Sequence, residues 1–187
     1  MSDANLSGKD WWRANQGKYP NSRSVDDLDP AFRDRVERFL ASLRDAGASI
    51  TIASTRRNAT RAHLMHYAWR VAYDRFNPAD VPPVAGLNIQ WDHGDAEASR
   101  RGALDMVNLF GMKHIASLTS RHIQGKAIDM TLSWKSVLEV TRPAPLNARI
   151  ESLPRSGQNR ELHELGATVF GVHKLRSDPP HWSIDGK

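Results

Sequence analysis

The sequence predicts an α+β fold, in which one domain contains a small, largely antiparallel sheet flanked by helices. Three observations lead to this prediction. Segments with helical periodicity and segments with strand-like alternation both occur. They follow one another without the regular βαβ rhythm of a parallel sheet. The chain of 187 residues also has the length of one domain.

Three long segments have the apolar spacing of helices. The first starts at Asp29 and Pro30, an N-cap followed by proline at the first helical position, and Gly47 ends its pattern. The second covers residues 58–76 and ends before an Asn-Pro pair. The third covers residues 95–110. We therefore expect three helices of about four turns each.

The predicted strands are shorter. Residues 49–55 alternate and are rich in β-branched side chains, which favours a strand. Further strands are predicted at 126–132, 168–172 and 181–184, and a short helix is predicted at 158–165.

The remaining segments set the expected domain organisation. Residues 1–28 are polar and mixed, and we expect them to form an irregular arm packed on the domain. Residues 29–187 then form the domain itself. Residues 80–94, with two adjacent prolines, are expected to be a loop.

Composition excludes some kinds of site and partner but does not identify the function. The net charge of +5 indicates an acidic partner such as nucleic acid, anionic lipid or the bacterial cell wall. The chain has no cysteine, so a metal site would have to use histidine and carboxylate ligands. No apolar run approaches the roughly 20 residues of a membrane span, and the first residues lack the apolar core of a signal peptide. We expect synthesis in the cytoplasm.

Two short motifs contain residues with the chemistry of a metal site. The first runs from Ser120 through His122 to Asp129, and Gly125 lies between the latter two and permits a chain reversal. The second is Asp178-Pro-Pro-His181-Trp182. Together they supply two imidazoles and two carboxylates, which suffices for three metal ligands and one free base, as in catalytic zinc sites.

Each motif also has an ordinary structural interpretation. His122 and Asp129 are compatible with a surface loop and a strand edge, and the two prolines with an exposed turn. A core position is the more typical role of Trp182.

The two motifs, Ser-x-His-x-x-Gly-x-Ala-x-Asp and Asp-x-x-His-Trp, resemble those of the D-alanyl-D-alanine carboxypeptidase family of zinc metallopeptidases. This family includes vancomycin-resistance carboxypeptidases and phage L-alanyl-D-glutamate endopeptidases. The resemblance implies that His122, Asp129 and His181 bind one Zn2+ per chain and that Asp178 is the catalytic base. An aspartate in the base position favours the phage-like branch. Residues 77–118 are the least comparable and are expected to be a family-variable insertion.

The resemblance extends to an arginine after the first core strand. Arg56 follows Ala-Ser-Thr at this position, where the family has Ser-Gly-Tyr, and adjacent Arg57 is its rival as the group that stabilises the oxyanion. Ser120 is a candidate for orienting a ligand, and Trp182 and Arg57 are candidates for substrate contact. Arg57, Arg61 and Arg121 are the candidates for binding a substrate carboxylate.

The implied substrates are peptidoglycan peptides, with internal cleavage favoured over removal of a terminal D-alanine. The expected place of action is the cell wall or periplasm, after release by a holin or a secretion system. No nucleic-acid partner is expected, because the basic residues are scattered and form no recognised module.

Two other interpretations remain open. A non-catalytic cell-wall-binding module that retains zinc would have the same ligands, although a free Asp178 argues against it. A second metal site at His63 and His66, which lie three residues apart on a predicted helix, has no defined third ligand.

Overall fold

The structure is a computed structural model that describes residues 5–141 and 143–187. It confirms the α+β fold with a small antiparallel sheet. The α-helices of the described residues are α1 (Lys9–Asn15), α2 (Pro30–Asp45), α3 (Ala59–Tyr73), α4 (Ala96–Phe110) and α5 (Arg160–Leu165). The strands are β1 (Ser49–Ser54), β2 (Ala127–Ser133), β3 (Leu138–Val140), β4 (Ala148–Ile150), β5 (His173–Lys174) and β6 (His181–Ser183).

Four strands form the main sheet in the order β1-β2-β6-β5, and every neighbouring pair is antiparallel. Strands β3 and β4 form a separate antiparallel hairpin. In the main sheet Asp129 of β2 pairs directly with His181 of β6. Across the other edge of β2, a register shift in β1 brings Ser54 opposite Asp129.

Most element predictions are confirmed. The N-cap of α2 is the predicted Asp29, whose carboxylate accepts from the Phe32 amide. Asp95, predicted as the first residue of the third helix, is the N-cap of α4 and accepts from the Ala98 amide. The short helix at 158–165 and the strand at 181–184 are also present, each slightly shorter than predicted.

The strand predicted at 168–172 is wrong. Residues Gly166–Phe170 continue α5 as a π-helical turn, which ends at Gly171 with a φ of 66°. The amide of Val172 donates to the Gly166 carbonyl at 2.9 Å and closes the turn. The β-branched residues of this segment favour a strand locally, but helical continuation and tertiary packing override that preference.

The first residues also differ from the expected irregular arm. Residues Lys9–Asn15 form α1, and its Trp11 and Trp12 are buried. The hairpin of β3 and β4 has no counterpart among the predictions, because strands of three residues are too short to give a periodic signal.

The chain forms two compact units. The sheet unit comprises residues 21–57 and 121–187, and the helical unit comprises residues 1–20 and 58–120. All six strands belong to the sheet unit, and helices α1, α3 and α4 belong to the helical unit. Each unit has its own cluster of buried apolar residues.

In the sheet unit, one face of α2 packs against one face of the sheet. The apolar residues of α2 recur at helical spacing and are almost completely buried; they are Phe32, Val36, Phe39, Leu40 and Leu43. They join Ile128, Met130 and Leu132 of β2 in one cluster. Trp182 of β6 completes it, with its ring centroid 5.5 Å from that of Phe39.

In the helical unit, α3 and α4 pack together, and the indoles of α1 join their buried residues. The Trp11 indole donates to the Asn88 carbonyl at 2.7 Å, so this buried polar group is satisfied. None of the helices in the described part of the chain has the length and apolar character needed to cross a membrane.

Gly125 provides a test of the turn that carries His122. Its φ is 69°, and a Cβ atom there would lie 2.8 Å from the Asp29 amide nitrogen. This distance is shorter than a van der Waals contact, so the backbone would have to move. Gly47 has a φ of 88° but open space around the same position. We expect Gly47→Ala to cost about 1–2 kcal/mol of backbone strain and Gly125→Ala roughly 1–3 kcal/mol more because of the clash. Urea unfolding of the two variants measures the difference, and equal losses would contradict the close approach.

Candidate metal centre

The alternation of strand side chains separates the site from the core. On β2, Ile128 and Met130 point into the apolar cluster, so Asp129 between them points to the opposite face. On β6, Trp182 points into the same cluster, so His181 lies on the face of Asp129. Since Asp129 and His181 are directly paired, the register of the sheet brings a carboxylate and an imidazole together.

His122 reaches the same place from a turn before β2. Gly125 adopts a left-handed conformation, as expected for a reversal between the two motif residues, and its amide donates to the His122 carbonyl at 3.1 Å. The Arg57 amide donates to the same carbonyl at 3.0 Å, which ties the turn to the end of β1. The His122 side chain is buried.

The three side chains converge on one point. His122 Nε2 lies 3.1 Å from Asp129 Oδ1 and 3.2 Å from His181 Nδ1, and the latter two atoms are 3.1 Å apart. Two ligands of a tetrahedral zinc ion, each 2.0–2.1 Å from the metal, are about 3.3–3.4 Å apart. The triangle therefore has nearly the dimensions of one face of a metal tetrahedron.

Hydrogen bonds to backbone carbonyls fix the tautomers of both imidazoles. His122 Nδ1 donates to the Thr55 carbonyl at 2.5 Å, and His181 Nε2 donates to the Lys187 carbonyl at 3.1 Å. In the neutral rings the other nitrogens, His122 Nε2 and His181 Nδ1, then carry lone pairs. Two lone pairs and a carboxylate oxygen that face one another favour a bound cation, and the outer carbonyls are the usual partners of metal-bound histidine.

The charge state of Asp129 suits the same purpose. Burial raises the pKa of this carboxyl, but hydrogen bonds and charge interactions with the protonated forms of His122 and His181 outweigh burial and hold the pKa well below its usual range. Asp129 is therefore a carboxylate at neutral pH, the form that binds a metal.

Within the described residues, this is the one group of three or more histidine and acidic side chains close enough to share a metal ion. The second site proposed from sequence, at His63 and His66, has no such third ligand. Both rings instead pack on Tyr67, with centroids 4.6 and 4.9 Å away, and His66 Nδ1 contacts the Ala116 carbonyl.

Asp178 lies one turn before His181. Its carbonyl accepts from the His181 amide at 3.1 Å, which closes a turn around Pro179 and Pro180 and holds the two Cα atoms within about 7 Å. The residue is exposed, and it is not part of the three-ligand group. The backbone of Asp178 is thus held close to that of His181.

The two candidate arginines occupy different environments. Arg56 is exposed, and its carbonyl accepts from Ser22. Arg57 is half-buried; burial lowers the pKa of its guanidinium, and the charge of Asp129 opposes this effect. Of the two arginines, Arg57 is thus the less exposed one, and its charge interacts with that of Asp129.

The other residues singled out from sequence have separate roles. Trp182 is fully buried in the core, the position typical of its residue type. Arg121 forms a bidentate ion pair with Asp185, and Arg61 lies over the Trp12 ring in the helical unit. Ser120 is half-buried in the helical unit.

Three contributors to the site have no sequence signal. The carbonyls of Thr55 and Lys187 belong to the backbone, so their residue types say nothing about the contact. Lys174 is buried beside the Asp178 turn, and nothing in the sequence distinguishes it from a surface lysine.

No family model, curated protein or solved structure matches this chain. The centre is a two-histidine, one-aspartate group able to hold a metal ion.

Metal binding by variants tests this centre. We expect His122→Ala and His181→Ala to lose a stoichiometric divalent metal, since each removes one of three ligands. His63→Ala is the matched control and should retain it. Equilibrium dialysis against Zn2+, followed by elemental analysis, measures the content. Retention by His122→Ala together with loss by His63→Ala would place the metal in the helical unit.

Proposed function

We propose that the protein is a zinc-dependent peptidase that hydrolyses a peptide bond in peptidoglycan, in the stem peptide or the cross-link. The observation that carries the proposal is the convergence of His122 Nε2, Asp129 Oδ1 and His181 Nδ1 at 3.1–3.2 Å, from the two motifs that resemble a zinc peptidase family. Internal, endolysin-like cleavage is favoured, with removal of a terminal D-alanine as the alternative.

The ligand set supports zinc as the metal. Two imidazoles and one carboxylate form a three-ligand set of the kind found in catalytic zinc sites, where the fourth position is left to water or substrate. A zinc ion held there would polarise the scissile carbonyl and activate water for attack.

Asp178 is the group that we assign as general base. Asp178 is exposed, its backbone turns directly into His181, and the fixed φ angles of the two prolines limit its backbone movement. In its ionised form it takes a proton from the attacking water and later gives it to the leaving amine. The peptide C–N bond breaks, and a carboxylate and an amine result.

Arg57 is the better candidate for stabilising the negative charge that develops on the carbonyl oxygen. Its guanidinium is half-buried and interacts electrostatically with Asp129, whereas Arg56 is exposed. A permanently charged group in a partly desolvated position stabilises a developing oxyanion more than an exposed one does.

The substrate and place of action follow from the resemblance and the charge. Peptidoglycan is an anionic polymer, and the net charge of +5 favours association with it. Action on the wall requires release from the cytoplasm, for which a holin or a secretion system is the proposed route.

Digestion of purified peptidoglycan tests the activity. We expect release of peptide fragments that stops with a chelator and returns with added Zn2+. Mass spectrometry of the fragments identifies the bond: free D-alanine indicates carboxypeptidase action, and larger fragments indicate internal cleavage. Binding to the polymer without any release would favour the non-catalytic wall-binding module.

Asp178→Ala separates the base from the ligands in the same assay. We expect this variant to bind Zn2+ normally while hydrolysis falls by roughly 10²–10⁴-fold, the usual range for general base catalysis. Asp34→Ala, which removes an exposed carboxylate from α2, is the matched control and should leave both properties unchanged. An active Asp178→Ala protein would exclude Asp178 as the base.

The arginine assignment has its own test. We expect Arg57→Ala to lower kcat by roughly 10²–10³-fold while metal content stays the same. Arg56→Ala should have a much smaller effect, because its side chain is solvated. Steady-state kinetics on the peptide identified by digestion compares the two, and the reverse order would assign the role to Arg56.

A further inference from the structure

Lys174, the last residue of β5, carries a buried ammonium group with an unusual set of partners. The residue is 9% exposed. Its Nζ donates to the backbone carbonyls of Leu175 and Asp178, each at 2.5 Å, and of His181 at 3.1 Å. An ammonium has three N–H donors, and here three carbonyl oxygens accept from them.

The burial of this charge is opposed by nearby carboxylates as well as by the three carbonyl oxygens. Burial lowers the pKa of Lys174, and the charges of Asp178 and Asp129 oppose this effect. The Nζ atom also lies 5.8 Å from the Trp182 ring centroid, within reach of a cation–π interaction. Each of the three carbonyls also accepts from a backbone amide of the same segment, so removal of the ammonium would take away the one group that joins them and leave each with its amide donor alone.

The three carbonyls belong to the segment that joins β5 to β6. It begins at Leu175, whose amide donates to the His181 carbonyl at 3.1 Å, and it contains the turn from Asp178 to His181. Both ends and the middle of the segment are thus bound to one nitrogen atom. The position of that atom constrains where the segment places its side chains.

We propose that Lys174 is a positioning residue of the metal centre, whose ammonium holds the Leu175–His181 segment so that His181 Nδ1 and the Asp178 carboxylate keep their places beside the metal. The inference rests on the proposed function for the role of Asp178, and on the metal centre alone for that of His181. Lys174 acts through backbone carbonyls, so its effect reaches the metal through the geometry of His181.

A purely structural lysine would give a different result from a positioning one. Its loss would lower the free energy of unfolding without changing the coordination of a bound metal. A positioning residue alters the coordination itself. The visible absorption spectrum of bound Co2+ reports ligand geometry and needs no peptidase activity.

The absence of cysteine from the chain permits a chemical rescue. Lys174→Cys is denatured, alkylated with 2-bromoethylamine or with 1-iodopropane, and refolded. The first reagent gives a thioether side chain of lysine's length that ends in an ammonium, and the second gives its neutral counterpart. Lys135→Cys, at an exposed position of the same unit, is treated identically as the control.

We expect the propyl form of Lys174→Cys to bind Co2+ and Zn2+ about 10–100-fold more weakly than the wild type, the usual effect of losing an outer partner. Its Co2+ spectrum should also differ. The aminoethyl form should regain the wild-type affinity and spectrum. Both forms of Lys135→Cys should match the wild type.

Two outcomes would overturn the proposal. In one, the propyl form binds Co2+ with the wild-type affinity and spectrum. In the other, both forms refold, as judged by circular dichroism, yet are equally impaired. If neither form refolds, reductive methylation of the wild type tests the buried ammonium on which the proposal depends: Lys174 should remain unmodified when Lys135 is fully modified, and equal rates would overturn the proposal.

These results are independent of catalysis. A wild-type protein that binds Co2+ but releases no fragments from peptidoglycan contradicts the proposed function, while the rescue still decides the role of Lys174. A hydrolase whose spectrum does not respond to Lys174 contradicts the positioning role alone.

Discussion

The metal centre depends above all on the register of β2 against β6. Asp129 and His181 share a face and lie directly opposite each other, while Ile128 and Trp182 fill the core on the other face. Because side chains alternate along a strand, a slip of one residue in either strand would bury a ligand and expose an indole or a methyl-rich side chain. The burial of Trp182 against Phe39 therefore stabilises the one register in which the two ligands meet. Core packing and ligand geometry are two results of a single alignment.

Two backbone carbonyls also orient the imidazoles of His122 and His181. Thr55 and Lys187 each accept from one imidazole, and this leaves the other nitrogen of each ring as the one able to bind a metal. Thr55 directly follows β1, so His122 is oriented by the residue after a strand that contributes no side chain to the three-residue group. Most of the polar atoms that organise the centre are thus main-chain atoms, whose positions the fold decides.

This explains which features the sequence could predict. The ligand triad was recognisable because His122, Asp129 and His181 stand in motifs with defined spacing, and α2 because an N-cap and an apolar period agree with each other. Residues 168–172 misled the prediction, since their β-branched side chains favour a strand while the contacts of Gly166 require a helical turn. The sequence alone could not choose between Arg56 and Arg57 as the candidate for stabilising the oxyanion. The two residues are of the same type and adjacent, so they differ only in the direction in which the backbone points each side chain. The roles of Thr55 and Lys174 depend on atoms that meet only after folding.

The hydrogen bond from the Arg57 amide to the His122 carbonyl has a wider consequence for the chain. Arg57 is the last residue before segment 58–120, and His122 lies shortly after it. The chain therefore leaves and re-enters the sheet unit at two residues that are hydrogen-bonded to each other. The free energy of closing such a loop changes only slowly with its length. A change in the length of this segment should therefore alter the loop-closure free energy only slightly at the contact that holds His122.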